Sequence, residues 1–411
     1  MTKWLKENKK DLGTKIILFL LSPFFSFLYS LKRVNTKSSY IFFFLFAVFF
    51  GLNFTTTDGR DENNTGDAAV YRQMFEFYKY DNFADLHISF QEVISMENDK
   101  ARDIYVLTMI YISSFFSYNY HVFFMFLAIV FAFFMLKSIK FLTENENFTN
   151  KSTTLLVLIL FIFMNGIYNI NGCRFWTASW IAIYCIFQIF RNNNMRYLLL
   201  IAITPLIHQS YWFFIAILFI ALLTKNIGIF WKIYFFISFF ISSYAIEFMT
   251  DITEYLPSSL QFLIERYTTD EAIENMYRTN LYQIIRRTFK LFFNIYINYI
   301  VILFIRNENS IISNYKTKKI YQFILIYMSI VNSVILIPSL GVRYQILALP
   351  FIAYIWLIEF ESKQKYRRVL WLFPLVSIFF IYERFMGYLF HSVDINFYYT
   401  SPIVQIIKFL L

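Results

Sequence analysis

Apolar runs of membrane-spanning length recur from one end of this chain to the other, and its Lys and Arg residues gather in the short loops between them. A hydrocarbon layer about 30 Å thick takes about 20 helical residues to cross. Inside that layer every backbone N–H and C=O must be bonded within the protein, which only helices and closed barrels achieve. A barrel would need segments of about ten residues in strict alternation, and this sequence has none. The expected fold is all-α: a polytopic transmembrane helical bundle of eleven or twelve spans, read as one integral membrane domain over residues 1–411.

Spans are expected near residues 38–54, 119–136, 152–169, 174–190, 197–209, 210–224, 229–249, 288–305, 320–337, 342–360 and 369–386. Six basic loops then fall on one side, carrying for example Lys32 and Arg33, Lys137 and Lys140, Arg191 and Arg196, and Arg367 and Arg368. Positive charge in short loops marks the cytoplasmic face. The net charge of +10 is thus a topological signal, and no nucleic acid partner is expected. Fifty-four Phe and 31 Tyr supply packing and interfacial belts, while only 9 Gly argue against close packing through small residues. Cys173 and Cys185, 12 residues apart on one expected helix, lie roughly 18 Å apart, too far for a disulfide.

The basic N-terminal segment 1–37 is ambiguous. Its apolar stretch 16–31 contains Pro23 and has basic residues at both ends, so it reads as a dipping or interfacial helix or as a first span with an inverted charge flank. A cleaved signal is not expected, because YSLKRVN follows it in place of a small-residue site. Two long acidic loops, 55–118 and 250–286, fall on the extracytoplasmic side, and 103–116 within the first reads as a surface helix.

Ionisable groups inside membrane segments are costly and mark function by default. Arg174 begins a span after YNING; Arg191 lies 17 residues on, about 26 Å, so Arg174 sits toward the outer face. Arg343 holds an equivalent place, where Pro338 and Gly341 break the chain and a helix resumes. Guanidinium keeps its charge and binds phosphate through two parallel bonds, so a pair of such Arg residues points to an anion site. Snorkelling or pairing with a loop carboxylate is the plainer reading of Arg174. His208, after Pro205 in TPLIHQS, ends a segment too short to cross, which fits a recessed cavity.

In GDAAVYRQMFEFY, residues Asp67, Tyr71, Met74, Phe75 and Tyr78 share one helix face, with the carboxylate where a helix start favours an anion. Alone, that motif reads as an N-terminal charge beside a packed stripe. Tyr71 and Arg72 on it are counted as substrate-binding candidates. So are Arg286 and Arg287, which enter a span from the outside, as anchors or as attractors of an anionic headgroup. Trp176, Tyr211, Trp212 and Tyr344 offer rings that can stack on sugars or fill an interfacial belt. No metal-ligand spacing, phosphate loop or nucleophile elbow is present in the sequence, so no cofactor or metal is expected.

From about residue 38 to the C-terminus the chain resembles the EpsG/Wzy-like family of bacterial exopolysaccharide and O-antigen polymerases. The resemblance rests on GDAAVY, on the long block CRFWTASWIAIYCIFQIFRNNNMRYLLLIAITPLIHQSYWFFI, and on GVRYQILALP. Cys173–Arg174–Phe175 departs from the family's common pattern, where a polar residue often follows the Arg. The resemblance implies a GT-C-like membrane glycosyltransferase in the bacterial inner membrane. It would move a growing glycan from undecaprenyl pyrophosphate to an incoming lipid-linked repeat unit on the extracytoplasmic face. Its partners would be that lipid-linked oligosaccharide, membrane lipid and a chain-length regulator. Asp67 or His208 would take the acceptor proton, and Arg174 and Arg343 would neutralise the departing pyrophosphate.

A flippase for the same lipid is the main rival. Transporters place their site near the midplane and commonly carry internal repeats. Here the polar residues cluster toward one face and no repeat is visible, which favours an enzyme. A ligase or an acyltransferase acting on the glycan is the second rival, and a ligase shares the Arg and His chemistry.

Overall fold

The structure is a computed structural model that describes chiefly residues 7–56, 66–80, 104–144, 152–226, 228–242, 280–337, 340–384 and 392–410, with a few isolated positions between. Much of both long acidic loops, together with Lys151 and Pro338, lies outside the described residues.

In chain order the α-helices are α1 (Lys9–Leu21), α2 (Pro23–Ser30), α3 (Lys37–Leu52), α4 (Asp67–Tyr78), α5 (Tyr105–Ser114) and α6 (Tyr120–Thr143). There follow α7 (Ser152–Phe163), α8 (Cys173–Ile186), α9 (Tyr197–Ile201), α10 (Thr204–Ile207), α11 (Tyr211–Leu223) and α12 (Ile229–Ile241). The last are α13 (Leu281–Arg306), α14 (Glu308–Ser313), α15 (Tyr315–Ser333), α16 (Gly341–Glu359), α17 (Gln364–Arg384) and α18 (Pro402–Leu410). Among the described residues the only β pairing is one isolated bridge, Phe54 with Val393, so the all-α expectation holds.

Spanning length is reached by fewer helices than expected. Four stretches among the described residues are long and apolar enough to cross: Tyr120–Thr143, Thr154–Arg191, Leu281–Arg306 and Gly341–Glu359. The reason is that the chain breaks its helices often. Expected spans 197–209 and 210–224 become α9, α10 and α11, interrupted before Pro205 and again at His208. Helices α15 and α17 have 19 and 21 residues but carry several Lys and Arg near their starts. The N-terminal segment breaks too. Ser22 is extended, its hydroxyl caps α2 by accepting from Phe24 N, and Pro23 takes the first helical position. The N-terminal segment therefore carries two short helices, α1 and α2 having 13 and 8 residues and packing on one another.

The chain forms two compact units. The first comprises Met1–Ser89, Ile104–Tyr184 and Ile381–Leu411. Its most extensive packing is α3 against α6. A Cβ on Gly51 would stand 2.5 Å from Ala128 Cβ and 2.7 Å from the Phe124 carbonyl oxygen, so the two backbones nearly touch there. Scarce glycine therefore does not mean that close packing is absent. One glycine sits where it is needed.

Lys15, fully buried, fastens α1 to the start of α3. Its Nζ donates to Glu7 Oε1 at 2.5 Å, Thr36 Oγ1 at 3.1 Å, Ser38 Oγ at 2.8 Å and Ser39 Oγ at 2.9 Å. A buried charge is tolerated only when paired and bonded in this way. At the other end of the chain α18 is held by Asn53 Nδ2 donating to Gln405 Oε1 at 2.6 Å.

The second unit comprises Phe90–Asp103 and Cys185–Phe380. Helix α15 is its centre, flanked by α11, α12, α14 and α16. Buried Glu359 accepts from Ser310 Oγ and Asn314 Nδ2, each at 2.9 Å, which binds the end of α16 to α14 and α15. Asn332 Nδ2 donates to Asn298 Oδ1 at 2.8 Å and joins α15 to α13. Between helices surrounded by hydrocarbon, such amide bonds replace the hydrophobic drive that water supplies elsewhere.

Gly51→Ala forces apart two backbones that have no flexible atom to yield. Overpacking of this kind costs about 1–3 kcal/mol. The expected result is a clearly lower midpoint in thermal unfolding of the detergent-solubilised protein.

Candidate functional site

The first group of candidate residues is built on a chain break in the first unit. After α7 the chain turns at Met164–Asn165 and runs as a 3₁₀ helix, Ile167–Gly172, directly into α8. Buried amides satisfy the turn. Asn165 Nδ2 donates to Ser179 Oγ at 2.6 Å, and Asn169 Nδ2 donates to Asn165 Oδ1 at 3.1 Å. Trp180 Nε1 donates to the Asn165 carbonyl at 3.1 Å. With its freed backbone groups bonded, this turn holds Gly172 and Arg174 in fixed places.

Helix α4 lies over that turn. Its buried residues Ala68, Ala69, Tyr71 and Phe75 form the inner face, with Phe75 stacked on Phe123 at 5.4 Å. Tyr71 is 2% exposed, and its phenol oxygen accepts from Arg174 Nε at 2.9 Å, with the guanidinium carbon 5.3 Å from the ring centre. Tyr71 is thus a positioning residue for Arg174 rather than a surface for substrate. Asp67, exposed in the first turn of α4, has its Oδ2 3.6 Å from where a Cβ on Gly172 would stand. Trp176 Nε1 is at the same distance from that point. Asp67, Tyr71, Gly172, Arg174 and Trp176 therefore form one local group.

Two expectations change here. Trp176 is 6% exposed and meets Phe175 edge to face at 5.0 Å, so its ring is packed and presents no face on which a sugar can stack. Arg72 donates from Nη1 to the Thr56 carbonyl at 2.6 Å and sits 4.0 Å over the Tyr120 ring. That geometry pins α4 to the end of the first loop's described start. Farther along α4, the hydrogen bond from Lys79 to Glu76, at 2.6 Å, holds the Lys79 ammonium above its ordinary range.

The second group lies in the second unit, at the break between α10 and α11. His208 ends α10 in an extended conformation. The backbone N–H of Ser210 donates to His208 Nδ1 at 3.3 Å, and Ser210 Oγ lies 2.8 Å from the same nitrogen. A backbone N–H can only donate, so Nδ1 accepts it in the tautomer that carries the ring proton on Nε2. Tyr344, fully buried, donates to the Ser210 carbonyl at 2.6 Å, and its own carbonyl accepts from Tyr327 OH at 2.8 Å. Arg343, half-buried in the first turn of α16, precedes it. One bond therefore ties the start of α16, with Arg343, to the turn that holds His208. Tyr344 and the fully buried Tyr211 are core, their rings 6.2 Å apart, and neither presents a stacking face. Trp212, by contrast, is 41% exposed.

Gly341 makes the start of α16 possible. A Cβ there would meet Ile335 Cα at 2.5 Å and its carbonyl carbon at 2.6 Å. Arg286 and Arg287 lie one turn inside α13, which begins at Leu281 and not near 288. They stand on the wall of the helix instead of at its entrance, and Arg287 Nε donates to the Gln283 carbonyl at 3.3 Å.

Two local groups result, each pairing an Arg at a helix start with a second polar group and each fastened by a tyrosine hydroxyl. The sequence pattern of the EpsG family matches residues 40–401, nearly the full length and across both groups. The chain belongs to the EpsG family. No curated protein and no solved structure matches it. Family membership supports a role in polysaccharide polymerisation in general, and with the long apolar helices it supports a membrane protein.

In this EpsG-family chain the residues missed from sequence were Asn165, Asn169, Gly172, Ser179 and Ser210. The available signal was the amide-rich NGIYNING between two apolar helices, where each amide needs a partner.

Tyr344→Phe keeps the ring and removes the bond to Ser210. A stability loss of about 0.5–1.5 kcal/mol is expected. Hydrogen exchange should rise at the 208–210 turn and stay unchanged in α6.

Proposed function

We propose that the protein is a membrane glycosyltransferase that polymerises a bacterial surface polysaccharide from repeat units carried on undecaprenyl pyrophosphate, on the extracytoplasmic face of the inner membrane. The observation that carries this reading is the group around Arg174, where a carboxylate, a tyrosine-held guanidinium and an indole N–H lie together at one helix start. The reaction needs that set. An acceptor hydroxyl oxygen attacks the anomeric carbon of the growing glycan, and its proton passes to the Asp67 carboxylate. The bond from that carbon to the pyrophosphate oxygen breaks, and the oxygen keeps the electron pair. Arg174 neutralises the charge that develops there.

The contact between Ser210 and His208 favours Asp67 as the base. With Nδ1 accepting from Ser210, the ring proton belongs on Nε2. In that state it gives a hydrogen bond rather than taking a proton, which suits an anion and leaves the base role to Asp67. Both substrates of a polymerase carry pyrophosphate, the glycan being moved and the incoming repeat unit. Arg174 serves the departing pyrophosphate, and Arg343 with His208 serves that of the incoming lipid. A chain-length regulator is an expected partner.

A cell lacking this protein should make surface glycan of single repeat units. A flippase defect would instead abolish surface glycan, and that banding pattern would overturn the reading. In the complemented strain, Asp67→Asn should slow polymerisation about 10²- to 10⁴-fold, the usual range for a removed acid–base group. Arg174→Lys combined with Arg343→Lys should shorten the glycan and slow synthesis about 10- to 100-fold, as expected when charged hydrogen bonds lose their fork geometry. Wild-type chain length in that double variant would exclude the electrostatic role.

A further inference from the structure

Helix α18 turns its polar side inward and its aliphatic side outward. Pro402 and Gln405 are buried, while Ile403, Val404 and Ile407 are each more than half exposed. The inward amide is bonded: Gln405 Oε1 accepts from Asn53 Nδ2 at 2.6 Å, and Nε2 donates to the Thr400 carbonyl at 2.8 Å. Such a helix suits a surround of hydrocarbon rather than water. At nine residues, roughly 13 Å, it is too short to cross a membrane. Asn119 Nδ2 donates to the Phe409 carbonyl at 3.0 Å, which sets the last turn of α18 against the start of α6.

At that junction rings and cations form an unbroken run of contacts. The Arg72 guanidinium carbon lies 4.0 Å from the centre of the Tyr120 ring, and that ring is 4.1 Å from His121. His121 is in turn 4.2 Å from Phe409, and Lys408 Nζ stands 4.8 Å from the Phe409 centre. Arg72 and Lys408 are both within electrostatic reach of the imidazole. Three helices, α4, α6 and α18, thus each bring a basic group to one place.

What the cluster lacks is a counter-charge. Lys79, Lys140 and Lys232 each meet a carboxylate. Among the described residues, Arg72 and Lys408 meet none. Glu76 lies near Tyr120 but is bonded to Lys79. Arg72 gives Nη1 to the Thr56 carbonyl, while its Nε and the Nδ1 of His121 have no hydrogen-bond partner. Enclosed polar atoms left unbonded are costly, and guanidinium is well shaped for phosphate. Basic clusters beside membrane helices are where anionic lipid headgroups are held.

We infer that the Arg72–His121–Lys408 cluster seats the phosphate of an anionic phospholipid whose acyl chains lie along the outward face of α18. Such a lipid answers both surfaces, phosphate for the cations and chains for Ile403, Val404 and Ile407. A free phosphate would use only the first. A lipid-linked glycan also carries phosphate, but the carboxylate beside this cluster is engaged by Lys79, so the seat is one for resident lipid and not for transfer. Because Arg72 follows Tyr71 on α4, a phosphate that holds it also steadies the helix that orients Arg174. The inference stands without the polymerase reading.

The test uses full-length protein in detergent micelles, titrated with dioleoyl phosphatidylglycerol or with neutral dioleoyl phosphatidylcholine. Lipid occupancy is read by native mass spectrometry and the thermal midpoint alongside. Phosphatidylglycerol should bind saturably and raise the midpoint, and hydrogen exchange in α4 should fall. Lys408→Glu and Arg72→Gln should each weaken that binding about tenfold or more, as expected for a lost charged hydrogen bond. Lys408→Glu should keep the wild-type midpoint in phosphatidylcholine, and it decides the matter alone if Arg72→Gln folds poorly. Equal occupancy by the two lipids, or undiminished phosphatidylglycerol binding in Lys408→Glu, would overturn the inference. A midpoint raised as far by inorganic phosphate would overturn it in favour of a free-anion site. Displacement of phosphatidylglycerol by a much lower concentration of a polyprenyl pyrophosphate would overturn it in favour of a substrate site.

Discussion

A chain that leaves the helix inside a hydrocarbon layer must find partners for the backbone groups it frees, and this protein spends its polar side chains on that task. In the first unit Asn165, Asn169 and Ser179 bind the turn between α7 and α8. In the second, Ser210 and Tyr344 bind the turn between α10 and α11. Each turn ends by presenting a charged or titratable residue at the start or end of a helix. The broken helices are therefore the means by which chemistry is placed, and the amides and hydroxyls around them set how rigidly it is held.

Rigidity matters because the charged groups are few. Arg174 is oriented by a buried tyrosine whose own ring is packed into α4's inner face. His208 is oriented by contacts from the Ser210 backbone N–H and hydroxyl to its Nδ1. Preorganised donors of this kind stabilise developing charge without the reorganisation that water would require. The tyrosines that looked available for sugars from their position in the sequence are instead the struts behind the charges. Trp212 alone among those rings keeps a large exposed face.

Much of this was legible in the residues themselves. Spanning-length apolar runs with basic loops dictated an all-α membrane bundle, and the i, i+4, i+8 pattern from Asp67 located α4 and its buried Tyr71 and Phe75. Arg174, Arg343 and His208 were found because charge in an apolar segment is conspicuous. Hydropathy was blind to three things. It averages over breaks, so α9 to α11 read as two spans. It cannot tell a tyrosine that stacks on a ligand from one that braces an arginine. And it is silent about glycine, so the backbone approach at Gly51 has no signature in composition.

The cage around Lys15 has a consequence for biogenesis. The oxygens around its ammonium come from Glu7, Asp11, Thr36, Ser38 and Ser39, which lie close together in the sequence. The most expensive charge in the N-terminal region can thus be neutralised as soon as that short stretch has emerged from the ribosome. The opening helices carry their charge compensation locally, while the turn between them is completed from the far end of the chain, where buried Ser22 donates from Oγ to the Tyr398 carbonyl at 2.7 Å.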